Sequence, residues 1–235
     1  MNVRACKNRL LANLPEDEWE RIAPRLTPVD MERKQSVYEP GSAIGHVYFP
    51  EQGLISVVST MNDGSTIEVA TIGCEGMSGL PLVFGIDHSP HRHLVQIPGT
   101  AWRMAAADLR EEIEHDSRLR RLLFRYDMAF VSQIMQSVAC NGLHTVQERC
   151  CRWLLMCLDR STSPEVVITH EFLAQMLGVR RATITEVLRP LQDEGMIRYR
   201  RGVVAVVDRL RLEEASCECY QAIRNAFSRV SVGVC

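Results

Sequence analysis

The sequence predicts an α+β fold: an N-terminal β-roll or jelly roll, a long helix, and a C-terminal winged helix-turn-helix. Three observations carry that prediction. Between Thr27 and Met104 the chain reads as short β-rich pieces separated by turns, with Asn62-Asp63-Gly64 between ISVVSTM and STIEVATI as a strong hairpin signal. From Ala105 to Gly142 apolar residues recur at three- and four-residue steps, as on one stripe of a long helix. From Thr169 to Gly202 the segment THEFLAQMLGVRRATITEVLRPLQDEGMIRYRRG has the constraints of two short helices crossing steeply and followed by a hairpin.

Taken in order, EDEWERIAPRL (Glu16 to Leu26) is acidic at its start and apolar at Trp19, Ile22, Ala23 and Leu26, which suits a short amphipathic helix closing one end of the roll. Several short strands then follow at close intervals, the pattern of a barrel or roll. The long helix carries Leu119, Leu122, Leu123, Tyr126, Phe130, Ile134 and Val138 on its stripe, and Asn141-Gly142 breaks it. A stripe of that length suits pairing of two helices about a two-fold axis, with Leu119, Leu123, Tyr126, Phe130 and Ile134 as the seam. Thr145-Val146-Gln147-Glu148 is a capping box opening a helix from Glu148 to Asp159, and Trp153, Leu154, Leu155 and Leu158 are placed to pack it against the helix-turn-helix. The break marks a hinge, so the expected division is a roll at 1–104, helices at 105–142 and a winged domain at 143–235.

Within that last domain Thr169 caps the first helix, Ala174 permits close helix approach and Gly178 takes the positive φ of the turn. Leu173, Leu177, Val179, Ile184 and Val187 face each other across the crossing. The second helix, roughly Arg181 to Glu194, sets Arg181, Thr185 and Arg189 opposite Ile184, Val187, Leu188 and Leu191. MIRYRRGVVAVVD then alternates and turns at Arg201-Gly202 as a wing. Pro190 removes one backbone bond and is expected to bend or loosen the second half of its helix.

At 235 residues and 26.6 kDa the chain can bury more than one core. It has no apolar run long enough for a bilayer and its start, MNVRACKNRL, lacks a signal-peptide centre, so a cytoplasmic protein without membrane partners is expected. Formal charge is −2, which gives no overall basic bias, yet Arg180, Arg181, Arg189, Arg198, Arg200 and Arg201 crowd one segment. Nine cysteines are an odd count for a disulfide framework. Cys150-Cys151 and Cys217-x-Cys219 are not spaced as a zinc or iron–sulfur framework, so no metal and no cofactor is expected. Most of these thiols read as small buried hydrophobes, with Cys217 and Cys219 as exposed exceptions whose thiolates Glu213, Glu214 and Glu218 disfavour. No cysteine, histidine and carboxylate set has catalytic spacing, Cys74 and Cys150 included, so no enzyme is expected.

The helix-turn-helix and wing resemble the DNA-binding domain of the Crp/Fnr superfamily of bacterial transcription regulators, and RYRRGVVAVVDRLRLEEASCECY resembles one branch of it that ends in this way. The likeness covers nearly the whole chain and is most specific at its C-terminal end. It implies a homodimer that places two recognition helices in successive major grooves of a near-palindromic site, with RNA polymerase as a further partner. Matched onto the family pattern, Arg181, Ala182, Thr185 and Glu186 take base-facing positions, while His170, Arg180, Thr183, Arg189, Arg200 and Arg201 take phosphate-facing ones. Ala182 departs from the acidic or polar residue of well-known members, and Arg180 replaces a common Ser or Thr cap. The N-terminal cysteine cluster of oxygen-sensing members is absent.

The resemblance also implies a cyclic-nucleotide-binding-like roll with a glycine-rich cassette. Gly73, Gly76 and Gly79 in IGCEGMSGLPLVFG fit that cassette, together with Gly85. Leu80 stands where nucleotide-binding members carry the Glu for the ribose, and Arg92 lacks the hydroxyl neighbour of the phosphate-binding Arg. Control by cAMP is therefore not expected, and the effector is unknown. His88, His91 and His93 cluster nearby and read as solvated loop residues rather than a metal or haem site. The competing reading is a ligand- or redox-sensing scaffold whose DNA contact is vestigial. The six clustered arginines weigh against it.

Overall fold

The computed structural model describes residues 6–114, 117–161 and 163–229. Two short helices open the chain, α1 (Arg9–Ala12) and α2 (Glu16–Ile22), the second with Glu16, Asp17 and Glu18 in its first turn, where a helix N-terminus favours negative charge. Seven strands then build two facing sheets: β1 (Thr27–Met31), β2 (Ser36–Tyr38), β3 (His46–Pro50), β4 (Leu54–Thr60), β5 (Thr66–Ile72), β6 (Arg92–Ile97) and β7 (Gly99–Ala105). One sheet has the order β1-β7-β3 and the other β2-β6-β4-β5, all antiparallel. The expected hairpin is present, with β4 paired to β5 across a tip where Gly64 has φ +83.

The helical segment is divided into α3 (Ala106–Glu114) and α4 (Arg118–Leu143), because Ser117 caps the second by accepting from the Arg120 amide. Helix α4 also runs through Asn141-Gly142 and stops at His144, so the expected break falls two residues late. The larger correction concerns its faces. Leu119, Leu123 and Tyr126 are fully buried in the chain's own core, which leaves these three no surface for a seam with a second chain, while Phe130 and Ile134 are half-buried against that core. The exposed large apolar residues of α4 are Phe124, Met128, Met135, Val138 and, at its end, Leu143, with Val131 half-buried among them.

Helix α5 (Val146–Leu158) begins at the capping box, with Thr145 and Glu148 satisfying each other's amides. It lies between the roll and the winged region. Trp153 was expected against the helix-turn-helix, but its Nε1 donates to Glu68 of β5, 3.0 Å away. The Glu68 carboxylate also accepts from Ser56 of β4, whose hydroxyl in turn meets Gln96 of β6. Burial lifts the Glu68 carboxyl from its ordinary 4.5 to about 7, against the opposing pull of Ser56, Arg152 and Trp153. Just past α5, Arg160 and Glu75 form a fully buried ion pair at 2.6 Å.

The remaining elements are β8 (Glu165–Val167), α6 (His170–Leu177), α7 (Arg181–Asp193), β9 (Ile197–Arg200), β10 (Val203–Val206), α8 (Arg209–Glu214) and α9 (Cys219–Arg229). The third sheet has the order β8-β10-β9, so the wing gains a strand that a three-residue run could not announce. Helix α9 packs along α4. Cys217 and Cys219, expected at the surface, are 4% and 0% exposed under that contact.

Candidate nucleic-acid interface

Helix α6 starts at Thr169, whose side chain accepts from the Phe172 amide, and ends at Gly178 with φ +64. The positive φ favours glycine there, and a Cβ would also stand 2.7 Å from the end of the Ile67 side chain of the roll. Helix α7 follows after two residues. Its Arg180 cap makes no side-chain hydrogen bond to the helix, which agrees with the departure noted in the sequence. Ile184, Val187, Leu188 and Leu191 are buried on one face, while Arg181, Ala182, Thr185, Glu186 and Arg189 are exposed on the other and Thr183 is half-buried. The helix continues through Pro190 to Asp193, and nothing in the structure explains why a proline stands there.

The wing turns on Arg201 and Gly202, with φ +50 and +79. Two consecutive positive φ values between paired strands make the type I′ loop that matches the twist of a hairpin. An arginine in that conformation is uncommon, since the left-handed region crowds a Cβ. Arg198, Arg200 and Arg201 are all exposed. Arg180 and Arg181, at the other end of the surface, border a groove of about 630 Å³ shared with the tip of the β4–β5 hairpin.

His170, expected to face phosphate, meets side chains of its own domain. Its ring lies 4.5 Å from that of Tyr199 in the wing, Nδ1 is 3.1 Å from the Thr185 hydroxyl, and Nε2 is enclosed without a partner. Burial lowers its pKa, with a further push from the Arg181 charge, so the ring is held toward its neutral form. The ring thus touches both α7, at Thr185, and the wing, at Tyr199. Sequence reading missed this because Tyr199 lies some thirty residues further along the chain.

The roll departs from the expected effector site more widely. A cleft of about 470 Å³ lies between the roll and α4, lined mainly by Val57, Ile72, Met77, Leu80, Phe84 and Ile134, with His88, His91, His93 and Asp127 as its polar members. Of the five residues expected at an effector pocket, Leu80 alone lines it. Arg92 pairs with Glu39 at 3.2 Å outside the cleft. Gly73, Gly76 and Gly79 make room for packing: a Cβ at Gly73 would meet Arg160, at Gly76 the Tyr126 ring, and at Gly79 the Val47 side chain, in each case within 2.7 Å. His93 is not a solvated loop residue. It is buried on β6, its Nδ1 is 2.7 Å from the Ser78 hydroxyl, and desolvation drives its pKa to about 3, so it stays neutral.

No helix among the described residues is long and apolar enough to cross a membrane. A comparison with curated proteins finds no match to this chain. Residues 148–215, from α5 to the end of α8, match the Crp-like helix-turn-helix domain family. Among solved structures the fold is similar to that of FixK2 from Bradyrhizobium japonicum, at 16% identity and a TM-score of 0.69, covering 82% of this chain and 98% of that one. It is similar also to TTHB099, a CRP-family transcriptional regulator from Thermus thermophilus, at 21% identity and a TM-score of 0.66, over 80% of this chain and 96% of that one. A third is the c-di-GMP-responsive global regulator CLP of Xanthomonas campestris, at 16% identity and a TM-score of 0.65, over 82% and 99% of the two chains. The chain thus carries a Crp-like helix-turn-helix domain on the fold of the Crp/Fnr transcription regulators.

Proposed function

We propose that the chain is a sequence-specific DNA-binding transcription regulator that acts as a homodimer on a near-palindromic operator. The observation that carries this reading is the outer face of α7, where Arg181, Ala182, Thr185, Glu186 and Arg189 stand exposed above a fully apolar inner face. Arg181 is the donor for a bidentate contact to guanine O6 and N7, Glu186 accepts from cytosine N4, and Ala182 offers at most contact with a thymine methyl. Thr183, Arg180, Arg189, Arg200 and Arg201 hold phosphates and set the register without reading sequence.

Dimerisation runs through α4, by a different seam from the one the sequence suggested. Phe124, Met128, Val131, Met135 and Val138 succeed one another at steps of four, three, four and three, the spacing of a coiled-coil a/d stripe. Four of these five are exposed in the single chain. Met135→Glu places a charge in that seam and is expected to shift the protein to monomer in sedimentation at micromolar concentration. A wild type that is itself monomeric there would end the dimer reading.

Classical cyclic-nucleotide control has no place in this reading, since among the described residues no arginine or lysine lines the cleft beside α4. An anionic phosphate buried there would lose its hydration without a charge-assisted partner. Calorimetry with cAMP and cGMP is expected to show no binding at micromolar concentration. The DNA reading itself is tested by selecting bound half-sites from a randomised pool at two salt concentrations. A symmetric pair of enriched half-sites about one helical turn apart supports it, and enrichment of no sequence over the pool would favour the scaffold reading.

A further inference from the structure

Four side chains that the helix-turn-helix does not use converge at the junction between α4 and the winged region. Cys140 lies in the last turn of α4 and His144 caps that helix, while Cys217 and Cys219 open α9. The Cys140 and Cys217 sulfurs are 3.4 Å apart, and Cys219 Sγ is 3.5 Å from His144 Nδ1. All four ligand atoms lie within 4.8 Å of one another. A tetrahedral zinc with Zn–S near 2.3 Å and Zn–N near 2.0–2.1 Å places its ligand atoms about 3.6–3.8 Å apart, so the cluster needs only small side-chain rotations to enclose one ion. Ligands to different irons of a cluster must stand further apart, which points to a mononuclear centre.

The surroundings are those of a ligand set. The three cysteines form a small buried group separate from the main core. His144 Nε2 is 3.2 Å from a carboxylate oxygen of Glu218, a partner that fixes the proton on Nε2 and turns the Nδ1 lone pair toward the sulfurs. Gln136 Nε2 is 3.0 Å from Cys219 Sγ, as a donor to a thiolate would be. Two buried arginines of α5 lie within electrostatic reach, Arg149 of Cys140 and Cys217 and Arg152 of Cys140, and the Nε of each is enclosed without a hydrogen-bond partner. A divalent cation with three thiolates and a neutral imidazole carries a net charge of −1, which these guanidinium groups offset.

We propose that Cys140, His144, Cys217 and Cys219 form a Cys3His site for a single thiophilic divalent cation, zinc by coordination preference, which pins α9 to the end of α4 where the chain passes from the roll to the winged region. The spacing Cys217-x-Cys219 gave no hint of it because the other two ligands stand more than 70 residues upstream on another helix. Ligand chemistry selects zinc over magnesium or calcium, which take oxygen donors. Binding releases the thiol protons to solvent and involves no change of oxidation state.

The experiment uses the full-length protein purified with reductant, its metal content measured by mass spectrometry, and the metal-free form titrated with Co(II). One equivalent of zinc as isolated is expected, together with a 1:1 Co(II) complex showing thiolate charge-transfer and tetrahedral d–d bands that zinc abolishes. Cys217→Ser and Cys219→Ser are expected to lose the stoichiometric complex, Cys6→Ser to retain it, and Glu218→Gln to weaken it about 10- to 100-fold. Because the ligand variants can fail to fold, the charge-transfer intensity of wild-type Co(II) protein decides independently, since it counts bound thiolates. Absence of a 1:1 tetrahedral Co(II) spectrum in the wild type, the same spectrum in both serine variants, or a Cys140–Cys217 disulfide in the reductant-purified protein would each overturn the proposal. None of these readouts involves DNA, so the site and the DNA reading can fail separately.

Discussion

Two sets of arginines, separated by only twenty to fifty residues of chain, lie in opposite environments. Arg180, Arg181, Arg189, Arg198, Arg200 and Arg201 are exposed on α7 and the wing, and Arg189 makes only a long i,i+4 contact of 3.8 Å to Asp193. Arg149, Arg152 and Arg160, on and after α5, are 4–7% exposed and face the roll, the helix-turn-helix and the cysteine cluster. The difference follows from desolvation. An exposed guanidinium stays hydrated and available to a polyanion, and its removal leaves the fold almost untouched. A buried one has given up its water, so the residues around it are committed to it, and its loss strands them.

The sharpest way to break the comparison is at the buried end. Arg160→Met removes the guanidinium that Glu75 meets in the interior and is expected to lower stability by about 3–5 kcal/mol in urea unfolding, with much of that regained in a double variant that also carries Glu75→Leu. If Arg160→Met unfolds at the wild-type urea concentration, the ion pair does not anchor α5.

Next in size is the Glu68 carboxyl, which Trp153 of α5 reaches. With a folded pKa near 7 and an ordinary value of 4.5, the folded state holds the extra proton between those limits. Stability should therefore fall as pH rises from about 4.5 to about 7 and remain at the lower level above it. Glu68→Gln should remove this slope and stabilise the protein at pH 8 by roughly 3–4 kcal/mol, the equivalent of the shift in free energy. Unchanged thermal unfolding of the variant across pH 5 to 8 would show that the carboxylate is better solvated than its burial implies.

At the exposed end the effects move from folding to binding. Arg181→Ala should cost about 1–3 kcal/mol of DNA affinity and relax preference at one base pair of each half-site, with thermal unfolding unchanged. A loss equal on all sequences would reassign Arg181 to phosphate. The smallest effect belongs to the wing. Arg201→Asn suits the left-handed turn better than arginine and deletes one charge, so it should leave the fold intact, weaken binding to all sequences alike and flatten the salt slope by roughly two units per dimer, at about 0.9 per phosphate. An unaltered slope would place the wing tip away from the DNA backbone.

How much of this was legible in the sequence depended on how local each constraint is. The Asn62-Asp63-Gly64 hairpin, the Thr145 capping box, the Thr169 cap, the Gly178 turn and the Arg201-Gly202 wing tip each lie within a few residues and are set by backbone sterics and nearby hydrogen bonds, so they stand where the sequence put them. The inner and outer faces of α7 follow from a 3.6-residue period and were equally readable. Period alone could not say which apolar residues of α4 face the chain's own roll. Leu119, Leu123 and Tyr126 are buried, Tyr126 beneath Gly76 of the cassette and Phe227 of α9, while Phe124, Met128, Met135 and Val138 are left outside. Tertiary packing likewise seated His170 against Tyr199, set Gly73, Gly76 and Gly79 against neighbouring side chains, and brought Cys140 and His144 to Cys217 and Cys219. These outcomes depend on residues far apart in the chain meeting in space. The sequence specifies such meetings only through the complete fold, because burial, desolvation and ligand geometry are properties of the assembled core.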